Sequence, residues 1–156
     1  IKRKGEGILK NGMKFLTDSP AGTLKTGAYL MGKYKNLADQ KPLVFFLEGE
    51  LGSGKTVFVK GVASKLGIND IVSPTYVIYY EYGNFYHFDL YQIEETNEYK
   101  YLKIDRLLKP GNILCFEWSE KIGPIYDHIK KKSEIINVRL DYLDDARREI
   151  TVSKQE

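Results

Sequence analysis

Eight consecutive residues, Gly49-Glu50-Leu51-Gly52-Ser53-Gly54-Lys55-Thr56, match the P-loop pattern GxxxxGK[ST] in full. The chemistry this spacing serves is the holding of phosphates. Glycines let successive backbone N–H groups converge on an anion, and the helix that follows adds the positive end of its dipole. The N–H groups from Glu50, Leu51, Gly52, Ser53, Gly54, Lys55, Thr56 and Val57 would form that cradle. Lys55 would reach the β- and γ-phosphates, and the Thr56 hydroxyl would ligate Mg2+. The ligand expected is ATP with Mg2+. The competing reading, a glycine turn before a helix, has no use for the lysine and threonine.

A P-loop leaves magnesium in need of an acid on a neighbouring strand. Glu117 follows four apolar residues (ILCF, 113–116), so it should emerge at the C-terminal end of a strand, where open parallel sheets bind ligands. Its alternative is a surface glutamate after a buried strand. Asp89 is the second candidate acid. Asp89-Leu90-Tyr91-Gln92 also has capping-box spacing, so a helix cap is the competing role. His87, between aromatics and on the same strand face as Asp89, reads as a structural histidine first and a catalytic one second.

The elements that must position these groups follow from periodicity. Leu43 to Leu47 (LVFFL) is a continuous apolar run of strand length, as in a parallel strand buried on both faces. The P-loop comes next. Val59, Val62, Ala63 and Leu66 then mark an amphipathic helix that Gly67 ends. Upstream, Lys14 to Thr17 predicts a short strand, and Ser19-Pro20 an N-cap with proline at the first helical position. Leu24, Ala28 and Met31 would form the buried stripe of that helix, ending near Lys35. Residues 77–90 (VIYYEYGNFYHFDL) predict a hairpin turning at Gly83-Asn84, with Tyr82 opposite Phe85, Tyr80 opposite His87 and Ile78 opposite Asp89. Val77, Tyr79, Tyr86, Phe88 and Leu90 would be its core side. Helical spacing covers 95–109 and stops at Pro110-Gly111. Ile113 to Phe116 is a second buried strand, Tyr126 to Lys132 a short helix, and 135–142 with 148–152 a closing hairpin around Asp144-Asp145.

Composition bounds the rest. The 156 residues suit one domain, 42% hydrophobic and 29% charged, in the range of ordinary globular chains. The net charge of +3 resides in residues 1–12, whose four basic and one acidic side chains leave 20 of each sign in the remainder. Nucleic-acid affinity in the folded part would need a local patch, and Lys130-Lys131-Lys132 reads as a solvated helix end. Residues 1–12 are expected to be a tail outside the domain, foreign to the natural chain if Met13 is its start, and 13–156 the domain. A single cysteine, no signal-peptide pattern and no membrane-spanning run make the expected location the cytoplasm.

The motifs GELGSGKT at 49–56, SPTY at 73–76, YHFDLYQI at 86–93 and FEWSE at 116–120, in this order and spacing, resemble the TsaE (YjeE) family from about Phe15 to Val152. The resemblance implies a small P-loop ATPase that works with TsaD and TsaB in forming threonylcarbamoyladenosine at position 37 of tRNA, meeting tRNA indirectly through that complex. It implies that Glu117 is a Walker B acid on magnesium, that Asp89 is a required acid near the γ-phosphate, and that SPTY is a switch-like loop placing Thr75 near the nucleotide. Three positions depart from the family pattern: Gln92 where arginine is usual, Ser119 where proline usually follows EW, and Lys103 where glycine is common.

The reading drawn from all of this is an α/β P-loop fold, a mixed sheet flanked by helices, with Lys55, Asp89 and Glu117 catalytic and Thr56 and Glu117 on the metal. A small-molecule kinase is the first rival, although residues 95–112 offer only Arg106 for a lid. A GTPase is disfavoured by the absence of NKxD. A nucleotide-gated adaptor with negligible turnover is the rival from another class.

Overall fold

The computed structural model describes residues 12–74, 79–91 and 104–156. At its centre the apolar run of β2 (Leu43–Glu48) lies between two parallel neighbours, β5 (Ile113–Glu117) and β6 (Glu134–Tyr142). Such a strand has no solvent face, so every residue from Leu43 to Leu47 is buried. Outward on one side come β7 (Arg148–Lys154) and β1 (Gly12–Thr17). On the other side β4 (Phe85–Asp89) pairs in parallel with β5, and β3 (Tyr79–Tyr82) closes the edge. The order among the described residues is β1-β7-β6-β2-β5-β4-β3, with β1, β3 and β7 antiparallel to their partners. The fold is the mixed α/β arrangement that the pattern of elements predicts.

Alternation along each strand divides the core in two. Leu43, Phe45, Leu47, Ile113, Cys115, Ile136 and Val138 face α1 (Pro20–Tyr34) and α2 (Lys55–Lys65), meeting Leu30, Met31, Phe58, Val59 and Val62. Val44, Phe46, Phe88, Leu114 and Phe116 face the other way, under Ile104, Leu107, Ile122 and Ile129, the last from α3 (Tyr126–Lys132). Phe116 is stacked on Phe88 at 4.4 Å and lies 5.5 Å from Phe46.

Ser19 caps α1 as its position implies, accepting from the Gly22 N–H at 3.1 Å, with Pro20 in the first turn. The buried stripe is rotated from the predicted one. Thr23, Thr26, Gly27, Leu30, Met31 and Tyr34 are buried, while Leu24 and Ala28 lie at its margin. Glycine contact causes the rotation. A Cβ on Gly27 would lie 2.3 Å from the Phe58 carbonyl oxygen, and one on Gly61 would lie 2.0 Å from that of Leu24. The backbones of α1 and α2 therefore meet at glycines, and apolar periodicity does not mark that face.

The hairpin register is as predicted, with Tyr82 opposite Phe85 and Tyr80 opposite His87. The expected pairing of Ile78 lies outside the described residues. The expectation of a single core side is corrected: because β5 runs alongside β4 and helices or loops cover both faces, Phe85 and His87 are as fully buried as Phe88. Of the helix expected over 95–109, the described part is a 3-10 turn at Ile104–Leu107. The remaining strands and α-helices fall where the sequence places them, while 3-10 turns at Lys35–Asp39, Ser119–Lys121 and Gly123–Ile125 stand where the sequence predicts loops. No helix among the described residues is long and apolar enough to cross a membrane.

Candidate functional site

The P-loop leaves β2 at Glu48 and enters α2 at Lys55. Three of its glycines take conformations with positive φ, +152° at Gly49, +77° at Gly52 and +104° at Gly54. Side chains rarely adopt these, and space excludes one as well: a Cβ on Gly49 would lie 2.6 Å from the Leu140 carbonyl of β6. Lys55 curls back over this loop. Its Nζ donates to the carbonyls of Gly49 at 2.6 Å and Glu50 at 2.9 Å and lies 4.1 Å above the centre of the Trp118 indole. Burial lowers its pKa, and the carboxylates of Glu117, Glu120 and Asp89 oppose that shift.

Glu117 is buried, not the surface glutamate of the alternative reading. It reaches α2: the Thr56 hydroxyl lies 2.8 Å from one carboxylate oxygen and 3.0 Å from the other. Strand alternation explains this, because Glu117 follows Cys115 onto the side of the sheet covered by α2. His87 is on the same side. Its Nε2 lies 2.5 Å from Glu117 Oε2, so an Nε2–H donating to the carboxylate is the tautomer the geometry requires. Its other ring nitrogen, Nδ1, is buried without a partner among the described residues.

Asp89 sits directly beside Glu117 in the β4–β5 register. Its carboxylate accepts the Tyr91 N–H at 3.0 Å, a local turn bond of the kind the capping alternative anticipates. Burial pushes the Asp89 carboxyl above the usual range. The Tyr91 N–H counters this, Glu117 adds to it, and His87 and Lys55 counter it further. Ser73, the first residue of SPTY, comes within 3.4 Å of the Thr56 hydroxyl. Thr75 itself lies outside the described residues, as do Gln92 and Lys103.

The structure thus brings Lys55, Thr56, His87, Asp89 and Glu117 to one end of the parallel strands. Among the described residues no group of three or more His, Cys, Asp or Glu could hold a metal by itself. Magnesium takes one or two carboxylates, keeps waters and completes its shell with phosphate oxygens. The hard oxygens of Thr56 and Glu117 fit such an ion.

The contacts of three residues escape sequence reasoning. Trp118 adopts a left-handed conformation, φ 59°, which turns its indole under Lys55 and against the Tyr91 ring at 4.9 Å. Tyr142 donates its hydroxyl to the Leu51 carbonyl at 2.8 Å, and Arg148 lies 3.4 Å from that of Gly52. The last two belong to the closing hairpin, and nothing in the motif points there.

Comparison with known proteins identifies the family. A family model described as "Threonylcarbamoyl adenosine biosynthesis protein TsaE" matches residues 17–150. A tRNA threonylcarbamoyladenosine biosynthesis protein TsaE of Haemophilus influenzae is 34% identical over 116 residues, covering 71% of this chain and 70% of that protein. The protein of the same name from Bacillus subtilis is 34% identical over 144 residues, covering 89% and 84%. The crystal structure of Bacillus subtilis YdiB superposes with a TM-score of 0.64 at 29% identity, over 94% of this chain and 87% of that one. The chain belongs to the TsaE family of tRNA threonylcarbamoyladenosine biosynthesis proteins.

Proposed function

We propose that this chain binds ATP with Mg2+ in its P-loop and hydrolyses it slowly, in the cytoplasm, as the nucleotide-driven component of a complex with TsaD and TsaB homologues that modifies adenosine 37 of tRNA. One observation carries the chemical part. The Thr56 hydroxyl rests against both oxygens of Glu117, which joins the P-loop and the acid of the adjacent parallel strand in a single site.

In this reading Lys55 exchanges the carbonyls of Gly49 and Glu50 for the β- and γ-phosphate oxygens. Backbone N–H groups of residues 50–57 hold the remaining phosphate oxygens, and Thr75 approaches the nucleotide from the loop whose Ser73 already reaches Thr56. Thr56 and Glu117 would hold the magnesium ion, which supplies neutralisation of phosphate charge when bound. His87 holds the Glu117 carboxylate in place. Asp89, beside Glu117, orients or deprotonates the attacking water. Catalysis is then mainly positioning and electrostatics. Arg106, the cation a kinase lid would need, lies 3.4 Å from the Tyr79 hydroxyl. With charges balanced outside the tail, reading the tRNA falls to the partners.

The test compares the wild type with Lys55→Ala. Calorimetry would follow ATP and ADP binding, and then binding to a TsaD–TsaB pair with each nucleotide and with none. A loss of about a hundredfold in turnover is expected for the variant, about 2.7 kcal/mol of transition-state stabilisation. Partner affinity should depend on the nucleotide state, and by linkage the partners should shift nucleotide affinity by the same factor. An ATPase rate for Lys55→Ala within threefold of wild type defeats the P-loop reading. Full multi-turnover modification by that variant defeats the ATP-driven role.

A further inference from the structure

The motif accounts for the inside of the P-loop but not for what holds its outside. Residues 50–52 form the tip of the loop. Leu51 exposes 72% of its surface, so its own side chain anchors nothing. What grips this tip is the far end of the β6–β7 hairpin, 91 residues further along the chain. Tyr142 Oη donates to the Leu51 carbonyl at 2.8 Å and would lie 2.5 Å from any Cβ placed on Gly52. Arg148, opposite Tyr142 in the β6–β7 register, stacks its guanidinium on the Tyr142 ring at 4.2 Å and extends Nη2 to within 3.4 Å of the Gly52 carbonyl.

The turn behind these two side chains is itself hydrogen-bonded. Asp144 accepts the N–H groups of Ala146 at 3.0 Å and Arg147 at 2.8 Å, together with Arg147 Nε at 2.6 Å. Arg148 Nη1 donates to the carbonyls of Asp144 at 2.8 Å, Asp145 at 3.1 Å and Arg147 at 3.1 Å. One guanidinium therefore ties the hairpin turn to the P-loop tip.

Peptide planarity turns this external contact into an internal effect. In a trans peptide the C=O and N–H point in opposite directions, so a carbonyl pinned outward sends the N–H of the next residue inward. Tyr142 pins the Leu51 carbonyl, and the N–H on that same peptide belongs to Gly52. We propose that Tyr142 and Arg148 are positioning residues for nucleotide binding, bracing the P-loop tip from outside so that the Gly52 N–H is aimed into the phosphate cradle before a nucleotide arrives. The inference rests on the nucleotide-binding reading above. It also gives Gly52 a second reason to be glycine, since Tyr142 occupies the place of its missing side chain.

Tyr142→Phe removes one oxygen atom and keeps the ring on which Arg148 stacks. ADP affinity, measured by calorimetry with magnesium, should fall about five- to tenfold, the worth of one pre-aimed hydrogen bond. ATP should lose the same factor, and thermal stability should hardly change. With 15N-glycine labelling, the Gly52 amide resonance should move on ADP addition in the wild type and much less in Tyr142→Phe. Arg148→Lys, which keeps the charge but loses the planar stack, should show a smaller loss in the same direction. A merely structural role predicts the reverse pattern, a lowered melting temperature with unchanged affinity well below it, and that outcome overturns the proposal. ADP binding by Tyr142→Phe within twofold of a wild type that binds normally overturns the brace alone. Failure of the wild type to bind ADP or ATP overturns the nucleotide reading and the brace with it.

Discussion

His87 is the residue whose replacement probes the site most directly. It is fully buried and has no contact with the phosphates in the proposed mechanism, yet its Nε2–H bonds to Glu117 at 2.5 Å. His87→Leu removes that donor without leaving a large cavity. A hydrogen bond to a charged acceptor contributes about 1.5–3 kcal/mol. Against this, leucine also removes Nδ1, a buried nitrogen with no partner among the described residues, whose burial then costs about 1 kcal/mol. The net destabilisation expected is therefore about 0.5–2 kcal/mol, or about 1–8 °C in melting temperature for a domain of this size. The functional effect should be the larger one. Glu117 keeps Thr56 as a donor but loses its second tether, so its carboxylate can rotate away from the metal position, and ATP affinity in limiting magnesium should fall about tenfold. His87→Gln, whose side-chain amide can stand in for Nε2–H, should restore most of both. Magnesium titrations at fixed ATP, with circular dichroism melts, give the two readouts. A His87→Leu protein with wild-type magnesium dependence, or a glutamine variant no better than leucine, would refute the reasoning.

Asp89→Asn keeps an acceptor for the Tyr91 N–H and removes a carboxylate whose pKa burial has raised. The folded protein holds that proton more tightly than the unfolded chain, so the wild type should gain stability as pH falls through the raised value, a slope the asparagine variant lacks. Melts across about pH 4 to 7 test this, and hydrolysis by the variant should drop while nucleotide affinity holds. If Asp89→Asn unfolds the protein but leaves specific activity intact, Asp89 is a cap and not a catalyst. Gly61→Ala should destabilise by about 1–3 kcal/mol despite its better helix propensity, because the new Cβ meets the Leu24 carbonyl; thermal melts would show a gain if the crossing can open freely. Glu117→Gln should weaken magnesium-dependent binding, with Trp118 fluorescence as the reporter, since ATP draws Lys55 off the indole. An emission spectrum unchanged by saturating ATP in the wild type would contradict that movement.

What could be read without a structure was local. The P-loop is contiguous and lies between a buried strand and a helix, so Lys55 and Thr56 are legible as a pair. Glu117 is legible because four apolar residues carry it to a strand end, and Gly83-Asn84 sets the β3–β4 register. The misreadings involve partners remote in the chain. His87 looks like a face residue on an isolated hairpin, and only the parallel pairing of β4 with β5 buries it against Glu117. The α1 stripe was displaced by a glycine contact with α2, where the feature that packs is the absence of a side chain. Tyr142 and Arg148 carry no motif at all, and closure of the sheet alone brings them to the loop.

The resting place of Lys55 bears on how long a nucleotide stays. Its ammonium is already satisfied by two carbonyls and the indole face of Trp118, so ATP gains from this lysine only the difference between phosphate and those partners. In the proposed cycle the lysine would return to these same partners once product leaves. Trp118 in turn rests on the ring of Tyr91, which is 47% exposed. Tyr91, Trp118 and Lys55 thus form one continuous row of contacts from the protein surface to the proposed phosphate site.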